Sequence, residues 1–231
     1  MVQPSPAIEA LLPAISAWSV RGGVDPSELV GVEVDVAEPM GPNRRREFAA
    51  GRACARAAMQ ALGTEPVALG RRQGRIADWP DDLRGSITHS GDFAAAAAST
   101  DLSSTIGIDA EQVGRVTERL WRRVFTTDER ERLLSMYESE ASYLATVIFG
   151  VKEAFYKAQF VHTGAWVGFE DVTVTPAGDV LALAPATDLA VLQDLEWPVE
   201  GRWCDIVDDT VIDPDVPGLV VTATRVRSSS V

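Results

Sequence analysis

Two acids stand one residue apart in Gly107-Ile108-Asp109-Ala110-Glu111, directly after a β-branched run, and a third, Glu153, lies four residues before Lys157 in FGVKEAFYKA. On a strand, residues i and i+2 point to the same face, so Asp109 and Glu111 project together while Ala110 faces the other way. Two convergent carboxylates repel one another unless something cationic sits between them. The pair is open to two readings, a solvated sheet edge or part of a cation site. Glu153 and Lys157 share one face of a helix, where they make either a surface ion pair worth roughly a few tenths of a kcal/mol or the completion of that site. Asp109, Glu111 and Glu153 together would offer hard oxygen ligands to Mg²⁺, which leaves room for waters and substrate phosphates. Lys157 would then be an adjacent point charge for a phosphate oxygen.

A second cluster is basic. The net charge is −13, yet eight of the 21 Lys and Arg residues fall between 44 and 75 (Arg44, Arg45, Arg46, Arg52, Arg56, Arg71, Arg72 and Arg75), where the only acids are Glu47 and Glu65. A basic island in an acidic chain suits a compact polyanion better than a long duplex, because a nucleic-acid binder needs an extended positive field to displace counterions. Nucleic acid is therefore not expected as a partner. His89, in Thr88-His89-Ser90, is one of two histidines. It stands at a strand end, where ligand contacts are made, and is either such a contact or a satisfied structural residue. His162 is read as structural.

The elements that must position these groups follow from periodicity. A chain of 231 residues with 46% hydrophobic content can bury a real core, as one large domain or two of about 100 residues. Ile8, Leu11, Leu12 and Ile15 predict a helix over 6–20, and the alternation of LVGVEVDV predicts a strand over 29–36. A helix is expected over 43–62, burying Phe48, Cys54, Ala55, Met59 and Leu62 and stopping at Gly63, with the arginines along its other side. Strands follow at 85–90 and 93–99, joined by Ser90-Gly91-Asp92, and STIGIDAEQV is the next. RVTERLWRRVF makes a helix, Thr127-Asp128-Glu129-Arg130 opens another with an acidic first turn, and a long helix covers 139–159. Strands near 170–175, 179–183, 203–207 and 218–226 complete an α+β chain whose halves meet near 101–104. Cys54 and Cys204 are far apart and form no CxxC, which argues against a disulfide framework or a thiolate zinc site. The opening MVQPSPAIEALLPAISAW has no basic segment ahead of its apolar stretch, and no run reaches the roughly 20 apolar residues of a membrane span. A soluble, cytoplasmic protein without a membrane partner is expected.

The stretches Arg44-Arg45-Arg46-Glu47-Phe48, Arg52-Ala53-Cys54-Ala55-Arg56, Trp79-Pro80, Gly85-Ser86-Ile87-Thr88-His89-Ser90, Gly107-Ile108-Asp109-Ala110-Glu111 and Lys152-Glu153-Ala154-Phe155-Tyr156-Lys157 resemble, in order and spacing, the motifs of 4′-phosphopantetheinyl transferases. The resemblance covers about 44–175 and is to the long, surfactin/enterobactin-type branch. It implies a pseudo-dimer of two similar α+β halves, with 1–103 on the 3′-phosphate and adenine side of coenzyme A and 104–231 carrying the metal and catalytic residues. It also implies transfer of the phosphopantetheine arm of coenzyme A to a serine of an apo acyl or peptidyl carrier protein, with release of adenosine 3′,5′-bisphosphate.

By similarity, Asp109, Glu111 and Glu153 would hold Mg²⁺, or Mn²⁺, on the pyrophosphate. Arg44, Arg52, Arg71 and His89 would meet the 3′-phosphate region, with Ser86 or Thr88 as hydroxyl donors. Arg44 and Arg52, eight apart on a helix, could face one ligand, and the choice among Arg71, Arg72 and Arg75 stays open. Asp109, Glu153 and Lys157 would be catalytic, Glu153 as general base and Lys157 on the leaving bisphosphate. The resemblance points to secondary-metabolite and siderophore biosynthesis and to a monomer. An acidic carrier meeting an acidic chain requires a local apolar or basic docking surface, expected around Trp121 to Leu134. Two other readings are a catalytically silent coenzyme A binding module and an unrelated Mg²⁺-dependent phosphoesterase built on the same three carboxylates.

Overall fold

An unbroken run of alanines, Ala94 to Ala98, forms the centre of the first half in the computed structural model, which describes residues 1–72, 76–206 and 218–229. Small side chains on both faces of this strand let other layers approach from either side. Its sheet is antiparallel, in the order β1 (Gln3–Pro4), β2 (Ser16–Arg21), β4 (Phe93–Ser99), β3 (Arg84–Ser90). On its outer face Ala94, Ala96 and Ala98 pack with Cys54, Ala58 and Met59 of helix α3 (Pro42–Ala61). On its inner face Ala95 and Ala97 meet Ile106 and Ile108 of the second sheet. That sheet is also antiparallel, in the order β5 (Thr105–Gln112), β9 (Leu219–Val226), β8 (Val199–Ile206), β7 (Val180–Pro185), β6 (Val172–Ala177). Its outer face is covered by the long helix α6 (Glu138–Thr163), whose Ile148, Val151 and Phe155 share a core with Leu181, Leu183 and Val220. Each half is thus an antiparallel sheet carrying one long helix, the α+β pseudo-dimer expected.

Two sequence expectations fail, for separate reasons. The helix expected over 6–20 is only α1 (Pro6–Glu9). Pro13 cannot continue a helix, Ala14 turns left-handed at φ 55°, and Ser16 to Arg21 pair in register with Ala98 to Phe93. The strand expected over 29–36 is instead helix α2 (Val32–Ala37). Its alternation is inverted by burial, because Glu33 is 0% exposed while Val32 and Val34 are 45% and 52% exposed. The Glu33 carboxylate pairs with Arg56 and accepts from the backbone N–H groups of Leu69 and Val30. The other elements lie within a few residues of expectation, including the two-residue hairpin at 91–92 and the helices α4 (Glu118–Val124) and α5 (Thr127–Leu134). Val207, at the end of one expected strand, lies outside the described residues. Both cysteines are free thiols, and burial pushes Cys54 up to about 12. Among the described residues no helix is long and apolar enough to cross a membrane.

The halves meet where the edge strand β3 runs beside β5. Side chains close this seam: the Ile108 N–H donates to Ser86 Oγ at 3.1 Å and the Ala110 N–H to Thr88 Oγ1 at 3.0 Å. The intervening Ile87 turns the other way, toward Gly51 of α3. On the far side of β5, Gly107 faces α6, and a Cβ there would collide with the carbonyl oxygen of Ala154. Only glycine permits this approach, which brings the acids of β5 within reach of those on the helix.

Candidate active site

The seam opens into a cleft of about 450 Å³. All ten residues expected at a site line it: Arg44, Arg52, Arg71, Ser86, Thr88, His89, Asp109, Glu111, Glu153 and Lys157. Arg72 turns away to Asp78, and Arg75 lies outside the described residues.

The second half supplies one wall. Glu153, Tyr156, Lys157 and Phe160 recur at i, i+3, i+4 and i+7 along α6 and therefore form one stripe, opposite Asp109 and Glu111 on β5. Lys157 Nζ donates to Asp109 Oδ1 at 2.7 Å and to the Ile108 carbonyl at 3.0 Å. Thr88 Oγ1 also donates to Asp109 Oδ1, at 3.2 Å. The other oxygen, Oδ2, is buried with no hydrogen-bond partner. Burial, reinforced by Asp109, pushes the Glu111 carboxyl up to about 7, and the same two causes raise Glu153. The wall thus carries negative charge that Lys157 alone does not balance. No group of three or more His, Cys, Asp or Glu side chains among the described residues is arranged to hold a metal ion, so a cation here would draw further ligands from water and substrate.

The first half supplies a cationic wall, and its arginines divide by role. Arg45 donates to the carbonyls of Ala37, Glu38 and Met40, closing the end of α2, and Arg56 holds Glu33. Arg52, expected on an exposed face, is instead 5% exposed, donating to the carbonyls of Leu69 and Gly70 at 3.0 and 3.2 Å. Burial draws its guanidinium down to about 10, still cationic at neutral pH. Its guanidinium and that of Arg71 lie 4.3 and 5.1 Å from the Phe48 ring centre, so one aromatic ring orders both cations. Arg44 touches His89 and pairs with Glu47 Oε2 at 2.9 Å. Burial and the neighbouring Arg44 hold the His89 imidazole below its ordinary range, hence neutral at pH 7.

Sequence reasoning gave no site role to Glu47, Phe48, Trp79, Tyr156 and Phe160, all lining the cleft, although the first four stand in the motifs that carry the family resemblance. Helical spacing from Arg44 and Glu153 was the available signal for four of them. Trp79 lacks such a signal and is fixed by Gly85, where any Cβ would clash with its ring. A smaller apolar pocket of about 150 Å³ adjoins the cleft at Glu153 and Tyr156, walled by Phe155, Trp166, Val167 and Phe169. Trp166 is 74% exposed at its mouth, edge-on to Tyr156 with ring centres 4.9 Å apart.

A cationic wall and a carboxylate–lysine wall thus line one cleft at the junction of two α+β halves. The family profile of the 4′-phosphopantetheinyl transferase N-terminal domain matches residues 33–99, and that of the 4′-phosphopantetheinyl transferase superfamily matches 105–188. The 4′-phosphopantetheinyl transferase Npt of Nocardia iowensis is 35% identical over 73% of this chain and 76% of its own length. PptT of Mycobacterium tuberculosis is 33% identical over 57% of this chain and 58% of its own length. A holo-(acyl-carrier-protein) synthase of Bacillus anthracis, solved in complex with CoA (3′,5′-ADP), is 22% identical over 54% of this chain and 96% of that chain, at a TM-score of 0.38. The chain belongs to the 4′-phosphopantetheinyl transferase family.

Proposed function

We propose that the family reaction takes place in this cleft, with coenzyme A lying across both walls and a serine of an apo carrier protein attacking its β-phosphate. The observation that carries this reading is the buried, partnerless Oδ2 of Asp109 in the same cleft as the Arg44–His89 pair.

The donor chemistry present suits a divalent cation, although the three carboxylates are not gathered around one point. Asp109 offers an unused oxygen, and Glu111 and Glu153 are raised by burial and by the charge of Asp109, which a cation would offset. Asp109, Glu111 and Glu153 would hold Mg²⁺, or Mn²⁺, which when bound neutralises charge on the pyrophosphate oxygens. Lys157 spends two N–H groups on Ile108 and Asp109 and directs the third to the leaving bisphosphate. Glu153 is the general base for the serine hydroxyl, its raised carboxyl lying closer to neutral pH, where a base is most effective. Arg44, Arg71 and His89 bind the 3′-phosphate, Arg52 fixes the loop that carries Arg71, and the hydroxyls of Ser86 and Thr88 lie alongside. The apolar pocket behind Tyr156 takes part of the uncharged pantetheine arm.

We place the junction of the two halves between 103 and 104 and read the chain as a cytoplasmic monomer acting on neither nucleic acid nor membrane. The carrier docks on α4 and α5, where Leu120 and Leu134 are 42% and 64% exposed beside Arg119, Arg122 and Arg123, an apolar and basic surface for an acidic partner.

The experiment is intact mass spectrometry of apo carrier proteins incubated with this protein, coenzyme A and Mg²⁺, with and without a chelator. A metal-dependent gain of one phosphopantetheine arm is expected, and Glu153→Gln should abolish it. Coenzyme A binding without any gain would leave a silent binding module. Metal-dependent release of a phosphate without a carrier would mark a phosphoesterase.

A further inference from the structure

Among the described residues, Glu47 is the only acid from the first half that lines the cleft. It lies one helical turn beyond Arg44, and its Oε2 sits 2.9 Å from Arg44 Nη1 and 3.7 Å from His89 Nδ1. Arg44 also touches His89, so a carboxylate, a guanidinium and an imidazole form a closed group at the mouth of the cleft. Glu47 and Arg44 are 31% and 44% exposed along their side chains, and His89 is 35% exposed, so all three are open to an incoming ligand. Arg45 and Arg56, by contrast, are tied to protein acceptors that hold the fold.

We infer that the Glu47 carboxylate takes the place of a phosphate on Arg44 between ligands and is displaced when the 3′-phosphate of coenzyme A arrives, so that Glu47 sets how tightly that phosphate is held and how readily the bisphosphate product leaves. This rests on the placement of the 3′-phosphate at Arg44 and His89. A carboxylate and a phosphate oxygen seek the same donors, and only one can have the Arg44 guanidinium head-on. The exchange has two effects. Arg44 stays ordered and pointed into the cleft between turnovers. The product, whose hold on the first half is chiefly its 3′-phosphate, meets an internal competitor that hastens its departure. A cationic wall without an acid would bind the ligand more tightly and release the bisphosphate more slowly.

The test compares three ligands by calorimetry: coenzyme A, dephospho-coenzyme A, which lacks the 3′-phosphate, and adenosine 3′,5′-bisphosphate. Glu47→Gln and Glu47→Ala should each tighten coenzyme A and the bisphosphate by about two- to fivefold, the span a half-exposed ion pair is worth, and leave dephospho-coenzyme A unchanged. Multiple-turnover kcat should fall while the single-turnover rate holds. Equal shifts for coenzyme A and its dephospho form, no shift, or weaker binding would overturn the inference and leave Glu47 as a brace for Arg44. Arg44→Ala separates the two levels. If it weakens coenzyme A and dephospho-coenzyme A alike, the 3′-phosphate is elsewhere and the underlying placement is at fault.

Discussion

Two lysine–carboxylate pairs on one helix make opposite use of the same chemistry. Lys152 meets Glu129 and Lys157 meets Asp109, both at 2.7 Å. The first pair is closed on every side. Lys152 donates to Glu129 and to the carbonyls of Val124 and Phe169, while Glu129 also accepts from the N–H groups of Thr126 and Val174. Its side chains are 2% and 0% exposed, and it ties α4, α5 and β6 to α6. The second pair is left open: Lys157 is 30% exposed and Asp109 Oδ2 is buried without a partner. What separates the two pairs is the completeness of their hydrogen bonding and their exposure, since the length and the kind of charges paired are shared. A buried pair repays its desolvation only when every donor and acceptor is met. An unmet oxygen marks a place held for something else.

Removing one carboxylate from each pair breaks the comparison most sharply. Asp109→Asn should lower the rate of carrier modification on the order of 10³-fold without lowering the melting temperature, because it also relieves repulsion from Glu111 and Glu153 and leaves Lys157 able to reach water. An Asp109→Asn chain that melts early while its folded fraction works normally would erase the distinction. Glu129→Gln should do the reverse, costing about 3–5 kcal/mol in denaturant unfolding by stranding a buried ammonium, with turnover per folded molecule within a few-fold of normal.

The smallest effect concerns pH. Glu111 titrates near 7 in the folded chain, above its unfolded value of about 4.3. The raised pKa favours the neutral form on folding, so its contribution is fully present below about pH 4.3 and lost as pH rises through 7. The metal-free protein should therefore lose stability from pH 5 to pH 8. Mg²⁺ should restore more at pH 8 than at pH 5, its affinity gaining up to about tenfold per pH unit below 7. Glu111→Gln should flatten both trends in thermal scans run with and without the metal.

The site was more legible in the sequence than part of the fold. Asp109, Glu111, Glu153 and Lys157 announce themselves by charges set where strand and helix periods bring them together, and such signals survive ignorance of the tertiary structure. The strand expected over 29–36 misleads because periodicity assumes that polar residues face water, and Glu33 faces Arg56 and a backbone amide instead. Residues 16–21 become a strand through pairing with residues 93–98, more than 70 positions away, which no local propensity encodes. The Lys152–Glu129 pair was invisible for a related reason. Its members lie on two different helices with no periodic pattern that joins them, and each alone reads as a surface charge.

The seam between β3 and β5 also bears on how long the protein persists in a cell. Because Ser86 and Thr88 join the sheets through hydroxyls, with the two walls of the cleft on either side, a molecule gripped by both walls becomes a strut across the junction. At a hundred times its Kd such a molecule adds about 2.7 kcal/mol against unfolding. The abundance of this protein should then follow the supply of coenzyme A, the chain surviving longest when there is most of it to use.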